Sequence, residues 1–510
     1  MNEQFTPDKR RWNMKHILIL LFTLTILPGC RNCGNLIENI APGPDITGLE
    51  MTRELQWLLA DRREVLLSGI DNGVIMLRSD YGYNGGRHEY RSADNFFYLT
   101  GFNQPGSALV LDKDNSGHYT LLVRKRTIRE EIYDGEIPGP DQVMETYLAN
   151  RVLELDRLDE IIQEKISAGV PFYVDFRDPD LKNRLTDAFR RLKAPESLIR
   201  DIAPAIHEMR VLKDNNEVGR IGKAVDITGD AFVNVCRVCR PGLYEFEIEA
   251  LIEFVFRKNG AAMPAFQSIV GSGPNSVTLH YSANNRKMED GDLLLMDTGA
   301  EFGNYCADIT RTIPVNGKFT PEQKAIYSLV LESQKAAIAE MIPGKPLIEG
   351  QNRYRETVIR GLHELGLITD PESDWQKKFY IIHGTSHYLG LNVHDVGDYG
   401  APDTAFTRNV ATTTSNSRLL EKGMVLTVEP GIYLRSNGLS QLLEMYGKEA
   451  SEEEIRKFID EVSPLYEKYK NIGVRIEDDV LITETGNIVL SQNIPKEIDD
   501  IERIMSRKGR

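Results

Sequence analysis

Apolar residues recur at helical spacing through Glu54–Ser68, and a short extended run, Val74–Arg78, follows. Two more extended runs, Ser107–Leu111 and Tyr119–Val123, precede helical patterns at Val152–Ile166 and Asp180–Leu192. Another apolar strand, Pro171–Asp175, falls between those two helices. Strands alternating with helices predict an α/β domain over residues 51–203. The aromatic run Phe96–Phe102 reads as core, with pocket lining as the other reading.

From residue 204 the pattern changes. Asn216–Arg240 reads as a helix, stopped by Pro241-Gly242. Glu245–Asn259 is a second helix, and Gly271-Ser272-Gly273-Pro274 is a loop. Pro321–Met341 and Glu349–Leu365 are helical, after which the chain becomes strand-rich. Within that part Met424–Val428 is an apolar strand, and Ser436–Lys470 is charged and helical in pattern. Helices and mostly antiparallel strands in mixed order predict an α+β domain over 204–510.

The first 50 residues follow neither pattern. Met14-Lys15-His16 precedes an apolar run, Ile17–Leu27, that is too short for a spanning helix and ends at Pro28-Gly29-Cys30. A basic start, a short apolar run and a small residue before a cleavage point describe a secretory signal over 1–30, which Met14 begins directly. Cysteine after Leu-Pro-Gly resembles a bacterial lipobox, so Cys30 is expected to carry lipid. An ordinary signal peptide or an uncleaved anchor is the plainer reading. Arg31–Glu50, rich in Gly, Pro, Asn and Asp, reads as a tether. The expectation is an exported, membrane-anchored lipoprotein facing the periplasm, with a cytoplasmic protein as the alternative.

Charge and cysteine content narrow the partners. Lys and Arg number 61 against 76 Asp and Glu, a net charge of −15. That disfavours nucleic acid. Five cysteines are too few and scattered for a disulfide framework. Cys236 and Cys239 form a C-x-x-C with no second pair, in a helical run, and read as free thiols.

The candidate chemistry centres on Leu293–Thr312, LLLMDTGAEFGNYCADITRT. Asp297 and Asp308 sit in two extended runs with a turn at Gly303-Asn304 between them. Buried carboxylates cost free energy unless paired, hydrogen-bonded or bound to a cation. Further donors follow downstream. His383 and His387 lie in IIHGTSHYLGLNVHDVG, with His394 close behind. Glu429 closes the Met424–Val428 strand, and Glu477 follows Gly473-Val474-Arg475-Ile476. Asp297, Asp308, His387, Glu429 and Glu477 make four carboxylates and one imidazole. Hard oxygen donors with a single histidine favour manganese, iron or cobalt over structural zinc. Five protein ligands exceed what one catalytic ion with open positions needs, but they suit two ions with bridging carboxylates.

At these residues the chain resembles aminopeptidase P, the Xaa-Pro aminopeptidase of the metallopeptidase group that includes prolidase and methionine aminopeptidase. The likeness covers about 90–490. It is carried by MDTGAEFGNYCADITRT, SIVGSGPNSVTLHY, HGTSHYLGLNVHDVG, MVLTVEPGIY and GVRIEDDVLIT, in the family's order. DNFFYLTGFNQPGSALVL also resembles the aminopeptidase P N-terminal region. The resemblance implies an α/β creatinase-type N-terminal domain and an α+β "pita-bread" catalytic domain with two divalent metal ions, usually Mn2+. It implies that Asp297 chelates one ion, that His387 and Glu429 hold the other, and that Asp308 and Glu477 bridge. His280, His383 and His394 match substrate-contacting or proton-handling histidines, and Arg475 an arginine beside the last ligand. The segments Tyr399–Ser417 and Ser436–Lys470 look longer than in compact relatives. A homo-oligomer, dimer or tetramer, is also implied.

The expected reaction is hydrolysis of the first bond of peptides with proline second. A hydroxide shared by the two metals would attack, His394 would stabilise the oxyanion, and Glu429 would pass a proton to the leaving proline nitrogen. A prolidase acting on Xaa-Pro dipeptides is the alternative enzyme. A binding module that has lost catalysis is the alternative from another class, and the filled ligand positions speak against it.

Overall fold

A computed structural model describes residues 51–81, 90–113, 118–125, 127–135, 138–400 and 417–506. The signal segment 1–30 with Cys30, the tether 31–50 and most of Tyr399–Ser417 lie outside these residues.

The N-terminal part is a six-stranded sheet with helices packed on it. The strands are β1 (Val74–Arg78), β2 (Ala108–Asp112), β3 (Tyr119–Val123), β4 (Arg151–Glu154), β5 (Phe172–Val174) and β6 (Ile199–Asp201). Their order is β4-β3-β2-β1-β5-β6, antiparallel at β1–β2 and β2–β3 and parallel elsewhere. Val74, Met76, Val110, Leu122, Phe172 and Val174 pack on Leu158, Ile162, Leu185 and Phe189 from the helices Leu158–Ser167 and Pro179–Arg191. Those positions are the apolar ones of the sequence pattern.

The helix expected over Val152–Ile166 is corrected at its start. Residues 151–154 are β4, paired parallel to β3, then comes a short 3-10 turn, and the helix begins at Leu158. The exposed edge of β3 offers unpaired backbone groups, and Val152-Leu153 satisfies them. Local periodicity carries no trace of that edge. The run Phe96–Phe102 is core: Phe96, Phe97 and Leu99 are buried on a helix, Asp94–Thr100, that ends on Gly101 at φ 66°.

In the second part, the long helix Asn215–Val238 starts on Asp214, whose side chain accepts from the amides of Asn216 and Glu217. It ends just before Cys239, so Cys236 and Cys239 are buried free thiols at its last turn. The strands are β7 (Met263–Pro264), β8 (Ile269–Ser272), β9 (Leu293–Thr298), β10 (Ala300–Phe302), β11 (Tyr305–Cys306), β12 (Ile309–Pro314), β13 (Val425–Val428), β14 (Gly431–Leu434), β15 (Ile472–Arg475), β16 (Asp478–Ile482) and β17 (Asn487–Val489). Every pairing among them is antiparallel. The helices Pro321–Glu340 and Ile348–Glu364 pack on each other. The stretch 436–470 holds two helices, Leu442–Tyr446 and Glu452–Tyr469. Among the described residues no helix is long and apolar enough to cross a membrane.

Two local devices shape the site. Between β10 and β11, Gly303 and Asn304 both have positive φ, 58° and 69°, as a two-residue type I′ hairpin turn requires. At Gly299 a side chain would meet the Ala307 carbonyl oxygen, with Cβ only 1.7 Å from it. Glycine there lets the chain leave β9 and return to β12 without parting them.

Candidate metal centre

Asp297 and Asp308 reach the same face of the β9–β12 pair. Asp297 lies opposite Thr310, and Asp308 precedes Thr310 by two residues. Two residues apart on a strand is the same face, so the acids are diagonal neighbours. Thr310 stands between them, and its hydroxyl donates to Glu477 Oε2 at 2.7 Å.

Glu429 and Glu477 come from strand breaks. β13 pairs with β16, Val428 facing Asp478, and β14 pairs with β15, Gly431 facing Arg475. Both ladders are interrupted at the same level, at Glu429-Pro430 and at Ile476-Glu477. Pro430 has no amide hydrogen to donate, so the ladder cannot run through. Each break releases a glutamate from the sheet, and both line the same cavity.

His387 completes the cluster. Its amide donates to Thr427 Oγ1 at 3.2 Å, which ties it to β13. Its Nδ1 lies 3.1 Å from the Tyr388 carbonyl and donates to it, leaving Nε2 as an acceptor for a cation. Nε2 is 3.4 Å from Asp308 Oδ2 and 3.8 Å from Glu429 Oε1. Ligand atoms of Asp308, His387 and Glu477 all lie within 4.8 Å of one another.

Every candidate residue of the sequence lines one cavity of about 800 Å3: Asp297, Asp308, His387, Glu429 and Glu477 with His280, His383, His394 and Arg475. His280 and His394 are exposed to that cavity, whereas His383 and Glu429 are half-buried. The His394 ring meets the His387 ring edge-on at 4.3 Å between centroids.

The electrostatics call for a cation. Burial, then repulsion from Asp297, Asp479 and Glu429, holds the Asp308 carboxyl well above the usual carboxylate range. Burial and the neighbouring Asp308 and Glu429 do the same to Glu477. Burial pushes Glu429 up to about 7, against the pull of His387 and Arg475. Asp297 Oδ1 and Asp308 Oδ1 are buried with no hydrogen-bond donor. Orphaned carboxylate oxygens are costly, and a divalent cation satisfies them. The donor set and its orphaned atoms therefore fit metal ions.

Arg475 occupies a place that its position in the chain does not reveal. It donates to Asp297 Oδ2 at 2.5 Å, to Thr310 Oγ1 at 3.0 Å and to the Tyr433 hydroxyl at 2.9 Å. It therefore braces the first aspartate, on β9, as well as standing beside Glu477. The Tyr433 hydroxyl in turn lies 3.0 Å from His383 Nε2, while His383 Nδ1 is 2.7 Å from the Gly384 carbonyl. With Nδ1–H donating to that carbonyl, Nε2 accepts from Tyr433. Burial, reinforced by Arg475, lowers His383 to about 4, so its ring is neutral near pH 7. Burial and the neighbouring His387 and His280 lower His394 to about 4 as well.

Tyr433 was not among the residues the sequence pointed to. A tyrosine within an apolar strand carries the ordinary signal of a core residue. Tyr433→Phe removes the link between Arg475 and His383 and leaves the ring packing. The expected result is about a tenfold fall in kcat, the cost of one buried hydrogen bond to a charged network, with unchanged metal content. Steady-state kinetics beside elemental analysis checks it, and an unchanged kcat rejects the role.

The fold and the donor set define a metallopeptidase. The model of "Metallopeptidase family M24" matches residues 219–484, and that of "Aminopeptidase P, N-terminal domain" matches residues 59–171. The chain belongs to metallopeptidase family M24, and within it to the Xaa-Pro aminopeptidase group. It is 36% identical over 433 residues to the Xaa-Pro aminopeptidase of Escherichia coli, covering 82% of this chain and 89% of that one. It is 30% identical to human Xaa-Pro aminopeptidase 3, covering 92% and 87%. Among solved structures, Pseudomonas aeruginosa aminopeptidase PepP superposes with a TM-score of 0.77 at 34% identity, covering 88% of this chain and 98% of that one. The α/β N-terminal domain and the α+β pita-bread domain are those of this family.

Proposed function

We propose that the chain releases the first residue from peptides whose second residue is proline, using two divalent cations, manganese by preference. The observation that carries this is the meeting of Asp297, Asp308, His387, Glu429 and Glu477 in the lining of one cavity large enough for a short peptide. Asp297 would hold one cation, His387 and Glu429 the other, and Asp308 and Glu477 both. Bound there, such cations would supply an acidified water and Lewis-acid polarisation of the scissile carbonyl.

The remaining work falls to the chain's own side chains. His394, neutral and exposed to the cavity, offers an N–H to the oxygen that gains charge. Glu429, 3.8 Å from both His383 and His387, takes a proton and delivers it to the leaving proline nitrogen. That nitrogen bears no hydrogen in the substrate, so cleavage requires its protonation. His280 and His383 flank the substrate chain. A free α-amine sits against the acidic wall, which limits cleavage to the first bond.

The test is manganese-loaded protein with an Xaa-Pro-Xaa tripeptide and the matching Xaa-Pro dipeptide. Release of the first residue from the tripeptide, faster than dipeptide hydrolysis, is expected. Preference for the dipeptide makes the chain a prolidase, and no release from either overturns the reading.

Two further proposals concern the whole molecule. Cys30 is lipidated and anchors the exported protein to a membrane facing the periplasm, as the Leu-Pro-Gly-Cys sequence supports. Labelled fatty acid should enter the protein and be lost in Cys30→Ala, and label retained in that variant rejects it. The chain also assembles as a dimer or tetramer. Exposed Ile128, Ile132 and Tyr133 on one short helix support self-association, which sedimentation would detect.

A further inference from the structure

The loop that carries His394 belongs to the catalytic domain but is gripped by the N-terminal domain. Residues 390–396 have no regular secondary structure, so no ladder of backbone hydrogen bonds fixes them. Asn392, Val393 and His394 all line the cavity. Arg91, just ahead of the helix Asp94–Thr100, reaches across to them. Its Nη2 donates to the Leu391 carbonyl, and to the Asn304 carbonyl at 3.2 Å. Its Nη1 is 3.5 Å from Asn392 Oδ1 and 3.1 Å from Asp94 Oδ1. Asp94 accepts from Asn392 Nδ2. Both ends of the Asn392 amide are therefore engaged by the N-terminal domain.

A second layer lies behind. Asp395, next to His394, is held by Arg210 at 2.5 Å and Lys213 at 3.4 Å. Arg210 also reaches Asn95 at 2.8 Å and Asp94 at 3.5 Å. Glu301 is 3.5 Å from Arg91. Three acids and three bases alternate through this junction. Such a network holds its members in one arrangement when complete and is costly when broken.

We infer that Arg91 and Asp94 are positioning residues of the reaction, setting the His394 imidazole through Asn392. The N-terminal domain thereby decides where a hydrogen-bond donor of the catalytic domain stands. Displacement of such a group by about 1 Å costs on the order of 100-fold in rate. The inference rests on the proposed hydrolysis for its kinetic test, but not for its structural one.

The test is a swap. Asn392→Asp sets a carboxylate against Asp94, and kcat should fall about 10- to 100-fold with KM and metal content steady. Adding Asp94→Asn restores one amide and one carboxylate with the roles exchanged, keeps the charge facing Arg91, and should recover most of kcat. Arg91→Ala should lower kcat similarly in the native chain and add nothing in a His394→Ala background, because coupled sites are not additive. A second readout needs no turnover. In metal-free protein labelled with 15N-histidine, the ring signals of His394 should move in Asn392→Asp and return in the swap, while those of His383 stay. Additive losses, or a His394 signal indifferent to all these variants, overturn the inference. If the native chain cleaves no Xaa-Pro peptide, the functional reading fails and the ring signals alone decide this one.

Discussion

Asp308→Ala will lower kcat/KM on an Xaa-Pro tripeptide by about 1,000-fold or more and deplete both cations, whereas Asp297→Ala will deplete one. A carboxylate shared by two cations couples them, and losing several kcal/mol of transition-state stabilisation corresponds to a thousandfold or greater loss in rate. Elemental analysis of the two alanine variants tests the ordering, and equal metal loss in both rejects the sharing role.

In metal-free protein, neutralising Asp308 will act in the opposite direction. Burial, Asp297, Asp479 and Glu429 all press on Asp308, so Asp308→Asn relieves repulsion and should raise the unfolding midpoint. The pH dependence follows the same sign. Glu429 is raised from 4.5 to about 7, so the folded state holds its proton more tightly than the unfolded chain. Glu429's own contribution to the stability of the metal-free protein is full below about 4.5 and is lost as pH rises through about 7. Saturating manganese should remove that fall. Thermal unfolding of the native chain and of Glu429→Gln, with and without chelator, checks both outcomes, and a metal-free difference between the two that stays constant across this window rejects the account.

Arg475→Ala will destabilise the fold by about 3–5 kcal/mol, the loss typical when one partner of a buried ion pair is removed. The guanidinium is buried between Asp297, Thr310 and Tyr433, and nothing of smaller size fills its place or pairs Asp297. Arg475→Lys will not rescue it, because one ammonium cannot span three partners as a planar guanidinium does. Denaturant titration of the metal-free variants measures the loss directly. A change below about 1 kcal/mol in either variant would show that solvent or a neighbour replaces the bridge.

Much of this was legible before any coordinates. The helices Arg53–Ser68, Asn215–Val238 and Pro321–Glu340 follow apolar spacing that any reader of the sequence meets. So does the turn at Gly303-Asn304, because only residues tolerant of positive φ close a two-residue hairpin. The strand at 151–154 was hidden, because its partner β3 lies 31 residues earlier and a short apolar run suits either element. Tyr433 and Thr310 were hidden for a related reason: each has the residue type of an ordinary strand position, and only its neighbours make it part of the site.

The sequence alone determined the donor types, four carboxylates and an imidazole, a set that favours hard divalent cations. It also determined the change from α/β to α+β pattern near residue 204. Tertiary structure decided which donors meet. The break shared by the β13–β16 and β14–β15 ladders brings Glu429 and Glu477 to the same cavity, and Arg475 finds Asp297 across 178 residues of chain. Tertiary structure also placed Arg91 against the loop of His394, 300 residues from Leu391. Periodicity reports only neighbours within a few residues, because it arises from the turn of one helix or the pleat of one strand. Contacts over hundreds of residues depend on strand register and packing, which no local spacing encodes.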